Sequence, residues 1–421
     1  MNTFLSFLST YLRMLKKLVI KICQLLALAL FFLCYPFAVI YAWPRYFFKR
    51  LIDLPPKVLL SPIGGPVPYF NQLTLKKAGY QVDIFAFNWP KYFQSIKAGY
   101  ILSDRPVMAK WAYLSNYVFF FLTALFKYDL FEMPFSGGLL MHSSLRKGEL
   151  LLLKLAAKKI LVAGYGSDCK ILSQVKKGHK YNNAMDRSDA AEAFPESVVR
   201  ANVLRAQKYA DVLISGGDAI HLGRKAIILP LATDLKFWSF EKPPKGKKVV
   251  ILHSTNHRSH KGTRFIIKAV EKLKDSLPIK LLLLEGKNFE ECRKIYPQAD
   301  IFITDVITGW HGFTAIEAMA IGRPVIAYLR PDIAQHHAYY AKGRIPIVSA
   351  NPDTLARAIT KLVKDRKWRE ELGQKGRQYA LKFHSFEFVG ALRRIIYEYI
   401  WTNQKINQKI FEREVKRRKL I

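Results

Sequence analysis

The sequence predicts an α/β protein of two doubly wound, Rossmann-like domains facing each other across a cleft, preceded by a membrane-associated helix. Three observations carry this expectation. Short apolar strand-like runs alternate with helical runs twice over, on either side of the proline-, glycine- and charge-rich stretch Glu241-Lys242-Pro243-Pro244-Lys245-Gly246. The 421 residues suffice for two ordinary domains and an appendage. Finally, Ile22 to Trp43 holds no charged residue, and about 20 apolar helical residues match the thickness of a hydrocarbon core.

Composition narrows the partners. Half the residues are hydrophobic, enough for a large core, and the formal net charge is +35. Such a balance calls for an anionic partner: an acidic membrane surface, an anionic substrate or nucleic acid. No nucleic-acid-binding module accompanies the charge, so nucleic acid is set aside. The four cysteines, Cys23, Cys34, Cys169 and Cys292, have no metal-ligand spacing, which fits a reducing compartment. The histidines likewise show no metal spacing.

Residues 1–50 form the anchor. Arg13, Lys16, Lys17 and Lys21 precede the uncharged run, and Arg45, Lys49, Arg50 and Lys57 follow it. Basic residues on both flanks satisfy the positive-inside rule on either side. Pro36 lies within the run. Two readings stay open, a single spanning helix and a bent, monotopic insertion with both ends cytoplasmic; a buried core helix is the plainer alternative.

The first domain, residues 57–240, opens with a strand at Lys57–Ser61, a tight loop at Pro62–Pro66 containing Gly64 and Gly65, a helix over Tyr69–Ala78 and a strand at Val82–Phe87. This order implies a right-handed parallel unit. Helical runs cover 106–127 and 145–158. Strands follow at Lys159–Gly164 and Tyr209–Ser215, and the domain closes near Ile228–Leu231. The second domain, residues 247–400, alternates strands (Lys248–His253, Ile279–Leu284, Ile301–Thr304, Val325–Tyr328) with helices near 263–275, 314–321 and 352–365. A last helix near 385–401 is placed to cross back to the first domain. A basic, weakly helical tail, residues 402–421, ends the chain.

Two loops carry the chemistry. After the first strand of the second domain comes Ser254-Thr255-Asn256-His257-Arg258-Ser259-His260-Lys261-Gly262-Thr263. The C-terminal end of such a strand is where open α/β sheets bind ligands, Arg258 and Lys261 can neutralise a diphosphate, and Gly262 permits close backbone approach. Further on, Gly309-Trp310-His311-Gly312 feeds a helix beginning at Phe313-Thr314 and carrying a single acid, Glu317. A glycine loop at a helix N-terminus gathers unpaired N–H groups and the positive end of the helix dipole. Glu317, about 1.5 turns in, is placed to reach a ribose.

These segments resemble the nucleotide-sugar-binding elements of the group 1, GT-B-type retaining glycosyltransferases. Lys261-Gly262 matches the family's Lys-Gly pair; Asn256 stands at its usual Arg position and Arg258 two residues on. Glu317-Ala318-Met319-Ala320 matches the second half of the family's paired-acid motif, and Gly312 its second glycine. Gly309 occupies the first acid's place, with Asp305 nearby. Ser61–Gly65 and Gly166-Ser167-Asp168 are similar to a glycine loop and an acceptor-side segment of related enzymes, Tyr165 replacing a frequent histidine.

The resemblance implies transfer of a sugar, with retention, from a UDP- or GDP-linked donor bound by the second domain to an acceptor bound by the first. Lys261, Arg258 and the helix dipole would balance the departing diphosphate in place of a metal or other cofactor. Asp168 would contact the acceptor or orient a loop. With the anchor, it implies a lipid-linked or cell-envelope glycan acceptor and catalytic domains on the cytoplasmic side of a membrane. A non-catalytic membrane protein keeping the nucleotide-binding scaffold is the alternative.

Overall fold

The structure is a computed structural model describing residues 2–60, 63, 65–86, 100–101, 109–176, 179–182, 195–217, 222–223, 226–341 and 345–421. It opens with one helix, α1 (Asn2–Leu51), which continues through Pro36 and Pro44. The N-terminal sheet then runs β1 (Val58–Leu60), α2 (Pro66–Lys77), β2 (Val82–Ala86), β3 (Tyr100–Ile101), α3 (Ala109–Lys127), β4 (Leu130–Pro134), α4 (Glu149–Leu155), β5 (Lys159–Ala163), α5 (Leu172–Lys176), α6 (Glu196–Tyr209), β6 (Val212–Ser215) and β7 (Ala226–Ile228). Its seven strands lie in the order β3-β2-β1-β4-β5-β6-β7, and every pairing is parallel.

Alternation along the strands divides two cores. Leu59, Phe131, Ile160 and Val162 face α3, α4 and α6. Val58, Leu60, Leu161 and Ala163 face the other way, into a core shared with the second domain. β4 was not foreseen, because Glu132 and Pro134 interrupt an apolar run of five. Both are buried within the strand.

The second domain contains β8 (Val249–Ser254), α7 (Arg258–Lys261), α8 (Thr263–Leu273), β9 (Ile279–Leu284), α9 (Phe289–Ile295), β10 (Ile301–Ile303), α10 (Phe313–Ala320), β11 (Val325–Ala327), α11 (Pro331–Ala341), β12 (Val348–Ser349), α12 (Leu355–Lys364) and α13 (Arg366–Phe383). Its parallel sheet has the order β12-β11-β10-β8-β9, so the chain reverses direction beside β8, at the switch point where the donor-rich loop emerges. The linker at 241–246 is held from this side, the buried Arg323 donating to the carbonyls of Glu241 and Lys242.

The chain then returns. Helix α14 (Phe386–Trp401) packs on α2, and its Arg393 and Tyr397 reach Glu132 of β4 at 2.7 and 2.5 Å. Asn71 of α2 donates to the other oxygen of the same carboxylate. A buried charge is tolerated when paired and hydrogen-bonded in this way. The tail is a docked helix, α15 (Gln408–Arg417), with Phe411 and Val415 buried and Gln408 accepting from the Ile228 amide of β7.

Helix α1 lies on the outer face of the first domain and runs in the same direction as α3. Phe31 meets Phe121, and Tyr41 meets Phe126. Tyr35 and Trp43 donate to the carbonyls of Leu152 and Leu155 in α4. Arg45 and Lys49, which read in the sequence as a membrane flank, instead clasp the buried Asp129 at 3.1 and 2.6 Å. Arg50 donates to the Thr402 carbonyl. The second basic flank is thus largely spent on fixing the helix to the domain.

Candidate active site

The site is built on the C-terminal ends of β8 and β10. His253, fully buried at the end of β8, contacts the Ile303 carbonyl and the Thr263 hydroxyl, both at 2.8 Å. It thereby locks the two strands to the start of α8. Burial holds its imidazole below the usual range. Between β8 and α8, α7 makes a single turn and ends at Gly262, whose φ of 74° is left-handed. A Cβ there would come 2.8 Å from Val306, so the loop can pass the β10 loop only as glycine.

That turn delivers Lys261. Its ammonium is 2.6 Å from Asp305 and close to Gly312, with a Cβ at that glycine lying 3.8 Å from Nζ. Gly312 is the N-cap of α10 and supplies no side-chain cap. The first amides of α10 therefore lack a side-chain partner beside a half-buried ammonium, an arrangement suited to an anion. The second oxygen of Asp305 is buried without a partner. Thr308 bonds both Asp305 and the His260 carbonyl, tying the two loops together.

Arg258 stands apart from this pair. Its guanidinium makes a bidentate, exposed pair with Glu285, at 2.6 and 2.5 Å. Asn256 accepts from the Gly286 amide on the same rim. Lys261, Gly262, Gly312 and Asp305 thus converge, while Arg258 and Asn256 brace the loop edge.

Glu317 lies inside the fold, 7 % exposed. Burial pushes its carboxyl up to about 8, opposed by a hydrogen bond with Tyr296. Phe313, at the start of α10, faces Phe70 of α2 with ring centres 5.6 Å apart, so the helix N-terminus meets the first domain; Thr314 follows it, half-buried.

Gly309 has a φ of 93° and accepts from the Arg330 amide. A Cβ on it would lie 2.9 Å from Cγ of Arg330, whose stem fills the space an acid would need. Trp310 stacks on His337 with centroids 3.8 Å apart and abuts Gly217 of the first domain. His311 is buried against Trp310 and His384, and neither of its ring nitrogens has a partner. Burial pushes His337 down to about 3 and His384 to about 4, and His311 well below the usual range, so this cluster is neutral.

On the opposite domain, Gly65 (φ 140°) sits at the N-cap of α2. Gly64 lies outside the described residues. Asp168 is buried, and its two oxygens accept from the amides of Tyr165 and Phe135, both at 3.0 Å. It joins the loops after β5 and β4. Burial pushes its carboxyl up to about 6.

The sequence reading missed Tyr296, Arg330, His337 and His384, since each reaches the site from a segment without a motif. The adjacent His336-His337 offered the only visible signal, and only His337 turns inward.

Residues 276–379 match the family described as glycosyl transferases group 1. Sucrose-phosphate synthase from Thermosynechococcus elongatus superposes with a TM-score of 0.54 at 16% identity, over 82% of this chain and 99% of that one. HepE of Anabaena, solved with UDP-glucose, gives 0.54 at 13% identity over 82% and 99%. A glycosyltransferase from Rickettsia africae gives 0.52 at 14% over 83% and 99%. No curated protein matches the sequence.

Proposed function

We propose that this protein is a group 1 glycosyltransferase of GT-B fold, which moves a sugar, with retention, from a nucleotide diphosphate-sugar to a lipid-linked or cell-envelope acceptor. The observation that carries the donor half is the convergence of Lys261 on the uncapped N-terminus of α10, at the mouth between α10 and α2. HepE was solved with UDP-glucose, which supports the same class of donor here. The bond between the anomeric carbon and the diphosphate oxygen breaks as the acceptor oxygen bonds to the same face of the sugar. The acceptor proton leaves with the diphosphate. Charge on the departing group is met by Lys261 and by the α10 amides, held in place before the reaction starts.

Asp305 already occupies the ammonium, so the diphosphate must compete with it or join it. The ribose would lie deeper, toward Glu317 and Tyr296. The acceptor side falls to the first domain, whose outer surface carries α1. That helix and the +35 charge support a membrane-borne acceptor, with the catalytic domains on the cytoplasmic side. The test is direct. Lys261→Ala should weaken UDP or GDP binding by about 1.5–3 kcal/mol, the range for a hydrogen bond to a charged group. Calorimetric titration showing unchanged affinity in a folded variant would reject the site.

A further inference from the structure

We infer that α1 lies flat in the interfacial region of an anionic bilayer and does not cross it, so that the outer face of the first domain is the membrane-docking surface. This rests on the membrane-associated reading above and gives it a geometry. A span needs about 20 consecutive apolar residues free of the soluble domain. The uncharged run of α1 is free on one face only. Ala27, Phe31, Ala38 and Ala42 are buried against the domain, and Arg45 and Lys49 pin the end of the helix to Asp129. Before Ala27, the sequence of α1 carries Arg13, Lys16, Lys17 and Lys21. Each such residue is strongly disfavoured at a helix centre in hydrocarbon. No run of about 20 residues in α1 is both uncharged and clear of the domain.

The faces agree with an in-plane helix. At about 100° per residue, the four basic positions fall on the same side as Ala27, Phe31, Ala38 and Ala42. The opposite side is apolar from end to end: Leu15, Ile22, Leu26, Leu33, Ile40 and Leu51 lie within a narrow stripe, exposed by 46, 47, 64, 67, 68 and 84%. A continuous exposed apolar stripe backed by lysine and arginine is how a helix sits at a lipid surface, the cations meeting anionic headgroups. The placement also bears on the acceptor. Lys21 and Gln24 line a groove with His142, Ser143 and Ser144, beyond the C-terminal end of β4. The basic half of α1 therefore meets the first domain, to which the acceptor is assigned, at this groove.

The full chain with an N-terminal epitope tag, bound to sealed vesicles of phosphatidylcholine and phosphatidylglycerol, tests this. Protease added outside should remove the tag together with the catalytic domains. A tag reached only after detergent would establish a span and overturn the inference while leaving membrane association intact. A chain that ignores these vesicles, or that forms a dimer in detergent without binding them, overturns both readings. As a second measure, Leu33→Glu/Ile40→Glu should reduce vesicle partitioning at least tenfold with the thermal midpoint in solution unchanged. Unaltered partitioning would count against the stripe.

Discussion

Glu317 shows what a buried acid does to a binding site before any ligand arrives. Its carboxyl is raised from 4.5 to about 8, so between those values the folded chain holds a proton that the unfolded chain releases. Stability should therefore fall as pH rises through that window. Glu149 and Asp168, raised to about 7 and about 6, add slopes of the same sign. Glu317→Gln isolates one of them. Urea unfolding at pH 5 and pH 8 should show a smaller loss of stability in the variant than in the parent; equal losses would place the proton elsewhere. Gly309 makes a second point at this scale. Restoring an acid with Gly309→Glu should destabilise the fold by about 1–3 kcal/mol, because the position is left-handed and Arg330 fills the space. Thermal unfolding checks this, and adding Arg330→Ala should recover only the steric part. From the sequence, Lys261, Gly262, Gly312 and Glu317 stand out as candidates because loop chemistry and helix spacing are local. The engagement of Arg258 by Glu285, and of Asp168 by the Phe135 amide, depends on segments 27 and 33 residues away. No local pattern announces such partners.

Among the elements, those with clean periodicity were read correctly. The run Val249–Ser254, the strand Lys159–Ala163 and the helices α8 and α12 announce themselves through burial on one face or both. Strand β4 hid because its Glu132 is neutralised by a partner 261 residues away. Helix α9 was signalled by the Asn288–Glu291 capping box, a mark that the reading passed over. Helix α13 hid for a different reason: it carries two glycines, Gly373 and Gly376, within a strongly polar sequence. Those glycines let it press on α10. A Cβ at Gly373 would collide with the Gly322 carbonyl oxygen, and one at Gly376 would lie 3.1 Å from Met319. Gly373→Ala should therefore push α13 off the C-terminal end of α10, costing about 1–3 kcal/mol by differential scanning calorimetry. Nucleotide affinity should fall with it, since α10 carries the site on its other end. A variant with unchanged stability would show that the contact yields easily.

Taken as a whole, the molecule is two sheets, a returning helix and an outer helix, and the return matters most for how it holds together. The two-domain layout was legible because the linker at 241–246 is compositionally distinct. The extent of the return was not, because Arg393, Tyr397 and Phe411 read as ordinary residues of a C-terminal helix and a basic tail. In the structure they bind Glu132 and the edge at β7. The peptide joining the domains at Lys245-Gly246 is exposed, yet it is only one of several ties between them, Phe313 on Phe70 and Trp310 against Gly217 among the others. The consequence is one of fragment complementation. A chain severed after Lys245 should not fall into halves: residues 246–421 carry their own grip on residues 1–245. The two pieces, produced separately and mixed, should reassemble into a complex that elutes as one species and regains nucleotide binding. Arg393→Met, which strands a buried carboxylate, should prevent reassembly while being far better tolerated in the intact chain, where the linker supplies the high effective concentration that the fragments lack.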